Sequence, residues 1–198
     1  MLICDLRNIY MYFKKDILLI DTEFSGFDLK KHDLLQVAAI LLDKKTLKEK
    51  KVFSTYIRPR HWKTRMRDAM EVNKITYDMV KDAPTLAEAI REFDQTFQPE
   101  AVIQAFYVGY NDKRWLLHAY EHAKVPWRFD YHYFELWGLF YPWLAASNKL
   151  KSTKDFAGFG LESLMRQFDI KPLGQEHDAL VDCRIEAEIL RRVMKKLN

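Results

Sequence analysis

A chain of 198 residues that is 48% hydrophobic and 14% aromatic has material for one sizeable core, which excludes intrinsic disorder. Its 32 Lys and Arg against 28 Asp and Glu give a net charge of +4, a mildly basic surface that admits a polyanionic partner without demanding one. No apolar run reaches the roughly 18 residues of a membrane span, and Cys4 and Cys183 lie too far apart for a metal-binding spacing, so a reduced, cytoplasmic setting is expected.

Residues 1–15 carry Asp5 and Arg7 inside an apolar stretch and lack a small-residue cleavage site. They read as an N-terminal extension ahead of a domain over residues 16–198, not as a secretory signal. Ile17-Leu18-Leu19-Ile20 has the apolar character of a buried strand and runs into Asp21-Thr22-Glu23. After a turn at Ser25-Gly26-Phe27-Asp28, residues 34–43 form a second run rich in Val, Ile and Leu. Residues 51–57 alternate Val52, Ser54 and Tyr56 against Phe53, Thr55 and Ile57, the pattern of a strand with one covered face. The short connections predict antiparallel pairing among these three.

One or two short helices are expected over residues 65–80, and Pro84 suits the first turn of a helix carrying Leu86, Ala87, Ile90, Phe93 and Phe97. A fourth strand is predicted over residues 101–106, a helix over 112–124 and a fifth strand over 127–130. Helices follow over 133–145, 161–168 and 179–197. In the last, Ala179, Cys183, Ala187, Leu190, Met194 and Leu197 keep helical spacing and form a buried stripe. Three antiparallel strands followed by parallel strand–helix units make an α/β fold with a mixed five-stranded sheet flanked by helices.

Side chains alternate along a strand, so Asp21 and Glu23 point to the same side. Two such carboxylates repel each other and lose solvation unless a hard divalent cation such as Mg²⁺ or Mn²⁺ sits between them. An Asx turn with a solvated Glu23 is the alternative. Asp182 lies beside the stripe of the last helix, five residues after His177. Five residues rotate a helical side chain by roughly 140°, so the two meet at one point only if His177 sits ahead of the helix, with Asp178 near its cap. The alternative is a capping segment followed by a partly exposed acid. Asp112 follows the fourth strand, where an acid also serves as a helix N-terminal charge. Convergence of strands one and four with the last helix would gather Asp21, Glu23, Asp112 and Asp182 around one small volume, and four carboxylates there call for two divalent ions.

These residues resemble the DEDDh family of 3′→5′ exonucleases, whose members include polymerase proofreading subunits, oligoribonuclease and ribonuclease T. The first motif of that family is similar to Leu18-Leu19-Ile20-Asp21-Thr22-Glu23-Phe24-Ser25-Gly26, and the third to His177-Asp178-Ala179-Leu180-Val181-Asp182. The second, usually His-Asn-x-x-Phe-Asp-x-x-Phe-Leu, is similar to the stretch from Tyr107 to Leu116 when its acid is set on Asp112; Tyr107 and Val108 then replace His-Asn. Asn73 to Val80 with Ala83-Pro84, and Phe159 to Leu164, are similar to the family's linking segments. The resemblance spans about residues 17–197.

The resemblance implies a ribonuclease H-like fold and an exonuclease domain over residues 16–198. It implies two divalent ions held by Asp21, Glu23, Asp112 and Asp182, about 3.5–4 Å apart across the scissile phosphate. His177 would act as general base, and nucleoside 5′-monophosphates would leave from a DNA or RNA 3′ end. Thr22, Phe24, Gly26 and Phe27 would contact substrate, with Phe24 and Phe27 wedged against the terminal base; core packing is the other reading of Phe27. A non-catalytic nucleic-acid-binding module with the same fold is the alternative that the altered second motif suggests. Arg58, Arg60, His61, Lys63, Arg65 and Arg67 around Trp62 read as a solvated loop face, with steering of a single strand as the alternative. The aromatic run from Tyr131 to Trp143 is dense enough for a core or a homodimer face.

Overall fold

The apolar runs assemble as a single sheet. The computed structural model describes residues 13–146, 160–171, 174 and 177–197, so residues 1–12 of the predicted extension, Cys4 and Phe159 lie outside it. Strands β1 (Asp16–Phe24), β2 (Leu34–Leu42), β3 (Glu49–Tyr56), β4 (Val102–Phe106) and β5 (Phe134–Glu135) lie in the order β3-β2-β1-β4-β5. The β1–β2 and β2–β3 pairs are antiparallel, whereas β1–β4 and β4–β5 are parallel. The central strands are apolar on both faces because helices cover both. Ile17, Leu18, Leu19 and Ile20 are each fully buried, a contribution of roughly 1.5–3 kcal/mol per side chain.

Helices α1 (Arg67–Asn73), α2 (Tyr77–Val80), α3 (Leu86–Phe97), α4 (Gly109–Ala123), α5 (Leu136–Ala146), α6 (Leu161–Gln167) and α7 (Ala179–Leu197) complete the described fold. One layer packs Ala89, Ile90 and Phe93 of α3 and Trp115, Leu116 and Tyr120 of α4 on Leu18 and Ile20. The other packs Phe140 of α5, Leu164 of α6 and the α7 stripe on Ile17 and Leu19. Strand alternation therefore sends Asp21 and Glu23 toward the α7 layer and Thr22 toward the α4 layer.

Several boundaries differ from the sequence expectation. Residues 127–130 are not a strand: Trp127 and Phe129 pack their rings on Tyr120 of α4, and β5 is a two-residue strand that forms further along the chain, over Phe134–Glu135. As a result α5 begins at Leu136, beyond the expected Tyr133. Helix α4 begins at Gly109, three residues early, because Glu135 Oε1 accepts the Gly109 amide at 2.9 Å and satisfies one free N–H of its first turn. The α3 cap is Thr85, in a capping box with Glu88, and Pro84 precedes the cap instead of occupying the first turn.

Candidate active site

Helix α7 docks on the sheet through small residues. Ala179 and Cys183 are fully buried, and the Cys183 thiol rests 3.8 Å from the carbonyls of Leu19 and of Ala38. The helix start is pinned by Asp178, whose Oδ1 accepts the amides of Leu180 and Val181 at 3.1 and 3.2 Å. Gln36 of β2 clamps the same corner: its Nε2 donates to Asp178 Oδ2 at 3.1 Å and its Oε1 accepts the Ala179 amide at 3.3 Å. His177 stands just ahead of the helix in the left-handed region, with φ of 60°. Its ring thereby escapes the angular offset that a mid-helix position would impose on it relative to Asp182.

Ligand-type atoms of Glu23, His177 and Asp182 lie within 4.8 Å of one another. With Asp21 and Tyr107 they line a cavity of about 420 Å³, roofed on one side by α6. Asp112 comes from the opposite layer, in the first turn of α4, and Thr22 Oγ1 donates to its Oδ1 at 2.6 Å. The sheet thus brings Asp21, Glu23, Asp182 and His177 to one cavity, and Asp112 lies outside its lining but near enough for its charge to raise Asp21 and Glu23. Thr22, expected to contact substrate, is buried with its hydroxyl committed to Asp112, and its observed role is to place that acid.

The acids are costly to ionise together. Burial holds Asp21 well above the usual carboxylate range, and the charges of Asp112, Glu186, Glu23 and Asp182 push it further, in that order. Burial, then Asp182 and Asp112, raise Glu23 to about 9. Burial raises Asp112 to about 7 against the lowering effect of the Thr22 hydrogen bond. Apart from His177, the cationic side chain lining the cavity is Arg166, which is largely exposed and 3.6 Å from Glu162. Crowded, hard oxygen donors, with Arg166 turned to Glu162 as the arginine of the lining among the described residues, suit a hard divalent cation such as Mg²⁺ or Mn²⁺.

Glu186 is the residue that the sequence reading missed. It is 1% exposed, lines the cavity and is itself raised far above the carboxylate range by burial and by Asp112 and Asp182. The signal was available: four residues after Asp182, it shares that acid's helix face.

The predicted substrate residues flank this floor. Phe24 stacks on Trp115, with centroids 5.6 Å apart, and so belongs to the packed support. Phe27 meets Phe24 edge-on at 5.5 Å yet is 51% exposed, which sets aside its core reading. A Cβ on Gly26 would lie 2.5 Å from the His32 ring, so the turn requires glycine for close approach. The basic loop spends its side chains locally: Arg65 covers the Trp62 ring at 4.9 Å, and Arg67 pairs with Glu71 at 2.6 Å.

The family model described as Exonuclease (RNase T) matches residues 18–190. Among curated proteins none matches the sequence. Similar solved structures include cell-death related nuclease 4 (CRN-4), with a TM-score of 0.75 and 17% identity over 92% of this chain and 64% of that one. The nuclease domain of 3′hExo, a DEDDh family member bound to rAMP, has a TM-score of 0.70 and 17% identity over 93% of each chain. The zinc-bound E. coli ExoI–ssDNA complex has a TM-score of 0.75 and 16% identity over 92% of this chain and 42% of that one. The chain therefore spans under two thirds of the first and third of these proteins and nearly all of the second.

Proposed function

Because the chain belongs to the DEDDh exonucleases with their ribonuclease H-like fold, we propose that it is a metal-dependent 3′→5′ exonuclease acting on single-stranded or frayed ends. The observation that carries this reading is the meeting of Asp21, Glu23, Asp182 and His177 around one cavity, with Asp112 reaching from the other layer close enough for its charge to act on Asp21 and Glu23. Glu23 and Asp182 would hold one divalent ion and Asp112 a second, with Asp21 shared between them. Two such ions supply positive charge to the scissile phosphate and to the departing 3′ oxygen.

His177 accepts a proton from the attacking water as the new P–O bond forms. The bond to the 3′ oxygen then breaks, and that oxygen takes a proton from solvent water, releasing a nucleoside 5′-monophosphate and leaving a chain one residue shorter with a 3′-hydroxyl. Asp178 and Gln36 fix the backbone that presents the imidazole, so its reach does not depend on a mobile loop. The exposed Phe27 ring offers its face to a terminal base, while Phe24 and Trp115 back it. Arg114 steadies that loop by donating to the Phe27 carbonyl at 3.4 Å. Among solved neighbours, 3′hExo holds rAMP and E. coli ExoI holds single-stranded DNA, which supports a polynucleotide strand as the substrate class.

The test is release of mononucleotides from 5′-labelled DNA and RNA oligomers in Mn²⁺ or Mg²⁺. Stepwise shortening from the 3′ end, stopped by EDTA, is expected. Asp21→Ala should lower the rate on the order of 10³-fold or more while circular dichroism stays that of the parent. Equal rates for the two proteins would end the proposal.

A further inference from the structure

The outward face of α4 differs from that of a helix that only supports a sheet. Its buried stripe runs through Asp112, Trp115, Leu116, Ala119, Tyr120 and Ala123. The opposite stripe, at the same 3–4 spacing, carries Tyr110, Lys113, Arg114, Leu117, His118 and Glu121. Tyr110 is 73% and Leu117 41% exposed, where a merely solvated stripe would be polar throughout. With Leu29, Val125 and Trp127 this stripe lines a groove of about 700 Å³. From Gly109 to Glu121 the helix rises roughly 18 Å, the length of several nucleotides stacked at about 3.4 Å each.

The groove starts beside the acids, since Asp112 stands between Tyr110 and Lys113 in the first turn of α4. It also borders the loop that carries Phe27: Leu29 lines it two residues further on, and Arg114 donates to the Phe27 carbonyl at 3.4 Å. A strand whose terminal base meets Phe27 is thereby led onto this face. The chemistry of the face suits such a strand. Lys113 is held 3.9 Å over the Tyr133 ring, and Lys113 and Arg114 together outweigh Glu121, the acid of the lining among the described residues. Burial, then the neighbouring His122, hold the His118 imidazole below its usual pKa, so it enters as a neutral ring. Tyr110 and Trp127 offer ring surface on which bases stack whatever their identity, with the two cations set among them for phosphates.

We propose that the α4 groove is the track for the single-stranded polynucleotide upstream of the nucleotide being removed, with Tyr110 and Trp127 stacking its bases and Lys113 and Arg114 meeting its phosphates. The placing of the 3′ end at Phe27 and the acids rests on the exonuclease reading above; the track itself takes a strand whether or not it is cut. Affinity should therefore grow with strand length beyond the terminal nucleotides, a dependence that the cavity at the acids alone would not give.

The test reads binding apart from hydrolysis. Fluorescein-labelled oligothymidylate and oligouridylate, each as a dinucleotide and a dodecanucleotide, are titrated with the full chain in EDTA and followed by anisotropy. The parent should bind the dodecanucleotide on the order of tenfold or more tighter than the dinucleotide. Tyr110→Ala, at an exposed position, should weaken the dodecanucleotide about tenfold. Lys113→Gln should weaken it too and lower the slope of log affinity against log salt by about 0.7, the value for one phosphate of a single strand. If both variants bind as the parent does at every salt concentration, the track is overturned, and the exonuclease reading stands as long as the oligomers are shortened in Mn²⁺. If the parent and variants bind as expected yet the parent never shortens a strand, the exonuclease reading falls and the track remains. If sedimentation shows a dimer that Leu117→Glu splits while strand binding is untouched, the face belongs to a second copy of this chain and the inference is overturned.

Discussion

Asp94 and Glu186 are both acids buried beside the sheet, one in each layer, and the fold treats them differently. Asp94 of α3 is met by its own chain: Arg128 pairs with Oδ2 at 2.5 Å and the Tyr120 hydroxyl donates to Oδ1 at 3.2 Å. Glu186 of α7 faces other acids, with one oxygen unpartnered among the described residues. The buried Asp94 is given its counter-charge and donors by the polypeptide, whereas Glu186 shares its cavity with Asp21, Glu23 and Asp182. Three of the predicted site acids thus stand on β1 and α7, and Asp112 reaches toward them from α4.

The sharpest way to break this comparison is His177→Ala. It should cost about 10²–10⁴-fold in exonuclease rate while the melting temperature stays near that of the parent. A large fall in melting temperature at unchanged rate would make the α7 corner architectural after all. On the support side, Tyr120→Phe removes a hydrogen bond to a charged acceptor and should lower stability by roughly 1.5–3 kcal/mol in denaturant titrations. Its rate per folded molecule should match the parent's; a slower enzyme would show that the two layers are not separable.

Thr22→Val joins the layers, since it strips Asp112 of its hydroxyl donor. Calorimetry should then show Mn²⁺ binding weakened about tenfold, and unchanged affinity would mean that Asp112 is placed by α4 alone. The smallest effect is expected in metal-free melting curves. Glu23, Asp112 and their neighbours have folded-state pKa values above those of the unfolded chain, so the fold binds more protons than the unfolded state. That contribution is present below about pH 4 and is lost as pH rises through about 7 for Asp112 and about 9 for Glu23. The exposed acids Asp28 and Asp43 shift the other way and are already ionised above pH 5, so they do not mask it. The melting temperature should fall by a few degrees between pH 5 and 9, and saturating Mg²⁺ should flatten the slope. A metal-free profile that rises with pH would contradict the crowding of the acids.

Much of this was legible because it follows from periodicity. Alternation alone placed Asp21 and Glu23 on one side of β1, and the small-residue stripe gave α7 its bounds of Ala179–Leu197. The five-residue interval from His177 to Asp182 required a residue ahead of a cap, which Asp178 and the φ of 60° at His177 provide. What failed depends on tertiary partners. β5 is two residues long and exists because β4 offers an edge; the more strand-like aromatics before it are claimed by Tyr120. The start of α4 depends on Glu135, a residue 26 positions away. Glu186 escaped because an acid on an amphipathic helix ordinarily faces water, and only the docking of α7 turns this one inward.

Cys183 has a consequence beyond filling space. Its sulfur sits between two backbone carbonyls of neighbouring strands, so the width of one side chain sets the gap between helix and sheet. Asp182 adjoins it and Glu186 lies less than a turn further on the same rigid rod. The thiol therefore works as a shim: a thicker side chain would lift both acids together, away from Asp21 and Glu23, and widen the cavity without changing any of its acids. A thinner one would let them settle closer. The spacing between the acids of α7 and those of β1 is gauged by a residue that does not line the cavity.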